Sequence, residues 1–172
     1  MKRRAVMSIL ILVCTVLQCS VFEIFSYASI RPNLLIILTV SFGLMRGKKS
    51  GMWTGFFCGL ARDLLFESTM GLQALIYLWI GYGAGCFYRI FYDDDIKTPL
   101  LLVSLGDLAY GCAVYVLQFL IRGRVHFFFY LNRIMIPEML YTIFLTFPVY
   151  RHFYRIEHSL AKSDKRSMNG FV

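Results

Sequence analysis

Apolar residues run almost unbroken through six stretches of the chain, at 5–27, 32–45, 52–66, 71–90, 98–121 and 134–153, and polar or turn-forming residues collect between them. A helix that crosses a hydrocarbon core of about 30 Å needs about 20 apolar residues. Four of the six stretches reach that length. The second and third are short, which predicts helices that either thin the bilayer locally or lie shielded by neighbours. The pattern therefore predicts an all-α integral membrane protein, a bundle of six transmembrane helices occupying residues 1–156.

The punctuation agrees with that division. Arg31-Pro32-Asn33 opens the second helix. "RGKKSG" (46–51) reads as a tight basic turn that makes a hairpin of helices two and three. "ESTMG" (67–71) is a short turn, and "YDDDIKTP" (92–99) closes the fourth span and starts the fifth, with Thr98 as N-cap and Pro99 at the first helical position. "RGRVHFFFYLNR" (122–133) is the longest loop. Pro137 falls in the first turn of the sixth helix, where its missing N–H matters little. Residues 157–172 are polar and basic and read as a disordered cytoplasmic tail.

Composition sharpens the class. Of 172 residues 58% are hydrophobic and 16% charged. A soluble domain cannot hide that much apolar surface. The spans leave no room for a separate soluble domain. The net charge of +8 would suit nucleic acid, but its distribution argues for topology instead. With the N-terminus in the cytoplasm, Lys2, Arg3, Arg4, Arg46, Lys48, Lys49, Arg89, Lys97, Arg151, Arg155, Lys162, Lys165 and Arg166 fall inside. Only Arg31, Arg122, Arg124 and Arg133 fall outside. That excess places both termini in the cytoplasm, with an even number of spans in the cell membrane. The positive charge then serves orientation and attraction to anionic lipid. "KRR" before the first run and Ser26-Tyr27-Ala28 after it resemble a signal peptide. The run exceeds the usual 7–15 residues of such a segment, so an uncleaved first helix is expected.

Candidate chemistry concentrates in the third stretch. Gly51, Gly55, Gly59 and Asp63 are spaced by four, so two G-x-x-x-G steps lead straight to a carboxylate. Small residues at this spacing let another helix backbone approach closely, although glycine is also common in membrane helices. Arg62 borders the same surface, and Gly71 follows in the next turn. An ionised residue at mid-span costs roughly 2.5–3.5 kcal/mol on insertion scales. Asp63 lies only about 6 Å of helix rise from Glu67, which puts it and its neighbour Arg62 in the outer third of the span. Gly81 and Gly85 form another G-x-x-x-G step, read as helix packing. Asp107, near mid-bilayer, is read as an acid facing protein. As half of a catalytic pair with Asp63 it fails, because the two sit at different depths. Glu138 begins the sixth helix at a depth similar to Arg62, where the helix dipole favours an acid, and is its expected counter-ion. Asp93-Asp94-Asp95 could hold a divalent cation but reads as a solvated turn. Cys14, Cys19, Cys58, Cys86 and Cys112 form no C-x-x-C pair and read as small apolar residues. His126, His152 and His158 lie at span ends. No nucleophile elbow, phosphate loop or zinc-protease motif occurs, so no catalytic residues, metal or cofactor are expected.

The chain resembles MreD, the multispanning rod-shape-determining protein of bacteria. The likeness is carried by "RPNLLIILTVSFGLMRGKKSGMWTGFFCGLARDLLFESTMGLQAL" (31–75), "FYDDDIKTPLLLVSLGDLAYG" (91–111) and "IPEMLYTIF" (136–144). Its most specific element is the spacing of Gly55, Gly59, Asp63, Leu64 and Gly71. The resemblance implies a non-enzymatic scaffold of the cell-wall elongation machinery. It also implies binding to an MreC-like bitopic partner and indirect links to MreB-like filaments, RodA and a class B penicillin-binding protein. The fold it implies is similar to the substrate-binding subunit of energy-coupling-factor vitamin transporters, and such a subunit is the alternative reading. Arg62, Asp63, Glu67, Arg122 and Glu138 would then supply the ligand's polar contacts. No pair of alanines four apart lies between Val6 and Val21, which departs from the docking motif of those transporter subunits and favours MreD.

Overall fold

A computed structural model describes residues 2–24, 32–66, 71–89, 97–120 and 130–169. Arg31, Glu67, the acidic run at 93–95 and Arg122, Arg124 and His126 lie outside the described residues. Helix α1 spans Lys2–Ile24, α2 Leu34–Arg46 and α3 Lys48–Phe66. Helix α4 spans Leu72–Cys86 and continues as a 3-10 turn, Phe87–Arg89. Helix α5 spans Lys97–Val114 and runs into a π-helical segment, Tyr115–Leu120. A second π-helical segment, Leu131–Met135, leads into α6, Ile136–Asn169. The described residues contain no strand.

The sequence LLIILTVSFGL of α2 has no polar face. A helix that is apolar all round belongs inside, and Leu34 to Leu44 are buried without exception. The other five helices all touch α2. Its 13 residues rise about 20 Å, too little for a lone span, and the surrounding helices shield it. Its two hydroxyls do not disturb this burial, because Thr39 donates to the Leu35 carbonyl at 2.8 Å and Ser41 to the Ile37 carbonyl.

The link from α2 to α3 is a single residue, Gly47, at φ +84°, a left-handed conformation open to glycine. At that end Arg46 lies over the Phe42 ring, 5.1 Å from its centroid, and donates to the Met7 sulfur at 2.6 Å. These contacts tie the start of α1 to the end of α2.

The outer helices are inside-out by soluble standards. Leu12, Trp53, Trp79, Leu101 and Phe144 stand exposed on α1, α3, α4, α5 and α6. Among the described residues one stretch, Thr98–Leu117, is long and apolar enough to cross a membrane, with mean hydropathy 1.9. Val6–Gln18, Leu34–Arg46 and Leu72–Cys86 are shorter apolar helices.

Helix α6 continues to Asn169, whereas the sequence pattern places a disordered tail from 157. Leu160, Ala161, Lys162, Lys165 and Arg166 are good helix formers, so the helix has no local reason to stop at the end of the apolar run.

Candidate functional site

The glycines of α3 face α4. A Cβ on Gly51 would collide with the Gly81 carbonyl oxygen, one on Gly55 with the Tyr77 carbonyl oxygen, and one on Gly59 with the Ala74 backbone. From the other side, Gly81 meets the Gly51 backbone, and a Cβ on Gly85 would lie 2.5 Å from the Lys48 Cα. The two backbones thus run in contact from one end of the seam to the other. Small residues permit this approach, and the gain is close van der Waals packing without side chains between. The groove that the spacing of fours foretells is occupied by the chain's own next helix.

Asp63 ends the seam. It is fully buried, and its hydrogen-bond partners among the described residues are main-chain donors of the following turn. Oδ2 accepts from the Gly71 N–H at 3.0 Å and the Ala74 N–H at 3.0 Å, and Oδ1 accepts from the Gln73 N–H at 3.1 Å. The first N–H groups of a helix have no partner inside it. Here Gly71, the N-cap residue just before α4, offers no side chain to cap them. Asp63 reaches across from α3 and supplies the acceptors. Its charge also meets the positive end of the α4 dipole. Gly71 stands at φ +99° with open space around it, so its requirement is conformational rather than steric. The chain must turn left-handed there for three N–H groups to converge on one carboxylate.

Arg62 points elsewhere. Its Nη1 donates to the Tyr77 hydroxyl at 3.2 Å, and its guanidinium lies over the Tyr110 ring, 5.1 Å from the centroid. Tyr77 in turn donates to Asn33 Oδ1 at 2.6 Å. Asn33 is the N-cap of α2 and accepts from the Ile36 N–H at 3.4 Å. Its own N–H donates to the Thr142 hydroxyl at 3.3 Å, and Thr142 donates to the Glu138 carbonyl at 2.9 Å. One hydrogen-bonded chain therefore crosses from α3 through α4 and α2 to α6. Glu138 acts on Arg62 electrostatically, and Arg62 acts on Asp107. Among the described residues Arg62 makes its hydrogen bond to Tyr77 and not to either acid.

The chain matches the family model of rod shape-determining protein MreD over residues 1–156. It belongs to the MreD family. No solved structure matches it.

For an MreD-family membrane protein, a role in determining rod shape follows from that membership. The seam and the polar chain are the features its sequence pattern flags. Of the flagged residues, Gly51, Gly55, Gly59, Asp63, Gly71, Gly81 and Gly85 meet along the α3–α4 seam, while Arg62, Asp107 and Glu138 share the neighbouring polar cluster. Asn33, Gln73, Tyr77, Tyr110 and Thr142 complete these sites and carry no motif of their own. Only Asn33, after Pro32 and ahead of an apolar run, had a local signal as a helix opener. A separate cleft of about 440 Å³ between α4 and α5 is lined by apolar residues, among them Val40, Ile76, Ile80, Gly106 and Ala109. The described thiols of Cys14, Cys58, Cys86 and Cys112 are free, and no described group of three or more His, Cys, Asp or Glu could hold a metal.

Proposed function

We propose that this MreD-family chain is a non-enzymatic scaffold of the cell-wall elongation machinery. It spans the cell membrane six times with both termini in the cytoplasm. It binds an MreC-like bitopic protein and through it links RodA and a class B penicillin-binding protein to MreB-like filaments. The observation that supports a scaffold is the use made of Asp63 and Arg62. Each ionised side chain is engaged by the protein itself, Asp63 by the start of α4 and Arg62 by Tyr77 and Tyr110. Groups spent in this way fix helix packing and present one shape to a partner. Seam residues such as Gly59 then act on partner binding indirectly, through the relative position of α3 and α4. The test is affinity purification of the full chain from native membranes in mild detergent. Recovery of a single-span protein with a large external domain, together with a wall synthase, supports the scaffold. Recovery of a pair of ATPases with a bound vitamin overturns it in favour of a transporter subunit.

A further inference from the structure

The α4–α5 face differs from the α3–α4 seam. Where the seam closes backbone to backbone, α4 and α5 leave the cleft of about 440 Å³, and its floor reaches Val40 of the central helix. A Cβ built on Gly83, in its wall, meets no atom within 4 Å. Leu75, Trp79 and Leu105 stand exposed along its rim, so it opens to the outside of the bundle. Its lining runs on α4 from Leu75 to Phe87, a rise of about 18 Å. Half of a hydrocarbon core is about 15 Å deep, so the cleft is long enough for a lipid chain of one leaflet. Dividing 440 Å³ by that rise leaves a mean cross-section of about 24 Å². A helix about 10 Å across needs roughly 80 Å². The cleft therefore has the width of a hydrocarbon chain and not of a partner helix.

One end of the cleft carries charge. Lys48 stands exposed at the start of α3, and its Nζ lies over the Tyr82 ring, 5.7 Å from the centroid. Tyr82 stands edge-on to Trp79, with ring centroids 6.3 Å apart, and Trp79 lines the cleft. A cation, two rings suited to the bilayer interface and the slot thus follow one another around α4. Beside Lys48 a second cavity, about 420 Å³, lies between Gly47 and the end of α4 at Gly85, Cys86 and Tyr88. By sequence, Arg46, Lys49, Arg89 and Lys97 belong to the same end, against Asp93, Asp94 and Asp95, so that end is net positive. A basic end and an apolar slot complement the two halves of an anionic phospholipid. We propose that the chain holds one such lipid, with its phosphate at Lys48 and one acyl chain in the α4–α5 cleft. The lipid fills the gap between α4 and α5 and ties it to the start of α3. The inference goes beyond the scaffold reading and requires only that the chain lie in a bilayer.

The test is native mass spectrometry of the full chain in detergent, with phosphatidylglycerol or phosphatidylcholine added at equal concentration. Wild type is expected to retain one phosphatidylglycerol and to prefer it over phosphatidylcholine. Lys48→Gln is expected to lower that preference about fivefold, the size of one lysine contact with an anionic lipid surface. Gly83→Leu places a side chain in the slot. It is expected to lower retention of both lipids severalfold, with an unfolding midpoint in lipid-free detergent near that of wild type. Should Gly83→Leu fail to fold, Lys48→Gln alone decides. Equal retention of the two lipids by wild type overturns the proposal. So does a preference unchanged in Lys48→Gln, or retention unchanged in a folded Gly83→Leu. A photo-crosslinker at Gly83, inside the slot, reads the occupant in native membranes. Crosslinked phospholipid richer in anionic species than the membrane itself supports the proposal. A crosslinked single-span protein overturns it in favour of a docked helix.

Discussion

Asp63 Oδ2 and the main-chain N–H of Gly71 are 3.0 Å apart, and this contact joins the last turn of one helix to the N-cap residue of the next. It turns a buried charge from a burden into a fastening. Hydrogen bonds to a charged group are each worth about 1.5–3 kcal/mol, without being additive. Asp63→Ala leaves three N–H groups at the start of α4 without this acceptor. We expect it to destabilise the protein by roughly 2–4 kcal/mol, in line with lost caps and orphaned buried donors. Asp63→Asn keeps one acceptor oxygen and should lose about half as much. Unfolding by denaturant in detergent micelles checks the order.

The seam predicts a contrast between glycines of one helix. Gly81→Ala drives a methyl into the Gly51 backbone, whereas Gly83 has nothing within 4 Å of a built Cβ. Overpacking against backbone costs about 1–3 kcal/mol or more. Gly81→Ala and Gly55→Ala should therefore lower the thermal midpoint, and Gly83→Ala should leave it unchanged or raise it slightly. Equal effects at 81 and 83 would mean that the two backbones are not in contact.

Gly71 is expected to behave differently from the seam. Space is open there, so side-chain size should matter little and the left-handed backbone should decide. A non-glycine residue in that conformation costs about 1–2 kcal/mol. Gly71→Asn should be tolerated better than Gly71→Val, because Asn visits the left-handed region more readily. Thermal midpoints of the two variants give the comparison.

Tyr77 links Arg62 to Asn33 through one hydroxyl. Tyr77→Phe removes that oxygen and leaves both neighbours short of a partner, for a loss of about 1–3 kcal/mol. Asn33→Ala disrupts the same link. Its effect and that of Tyr77→Phe should be less than additive in a double-mutant cycle. Additive losses would show that the two side chains act separately.

Much of this was legible before any coordinates. The spacing of fours in Gly51, Gly55, Gly59 and Asp63 marks a close helix contact, and the short apolar run from Leu34 left two outcomes open, a locally thinned bilayer or a helix shielded by its neighbours. The pairing of Asp63 was not legible. It depends on a left-handed turn at Gly71 that brings three N–H groups onto one carboxylate, and residue type alone does not reveal such convergence. Tyr77 and Thr142 were also invisible, since each sits in an apolar helix whose pattern gives no hint of a polar neighbour. Glu138 was expected as the counter-ion of Arg62. The two do act on each other, but the nearer partners of Arg62 are tyrosines, whose hydroxyl and ring face replace a direct ion pair.

The measurement that tests the account most directly is hydrogen–deuterium exchange at the start of α4, in wild type and Asp63→Ala, with the protein held in nanodiscs. If Asp63 anchors that helix, amide exchange in the peptide covering Gly71, Gln73 and Ala74 should accelerate strongly in the variant, while the peptide covering α2 stays protected. Unchanged exchange at Gly71 to Ala74 would contradict the claim that this carboxylate holds the two helices together.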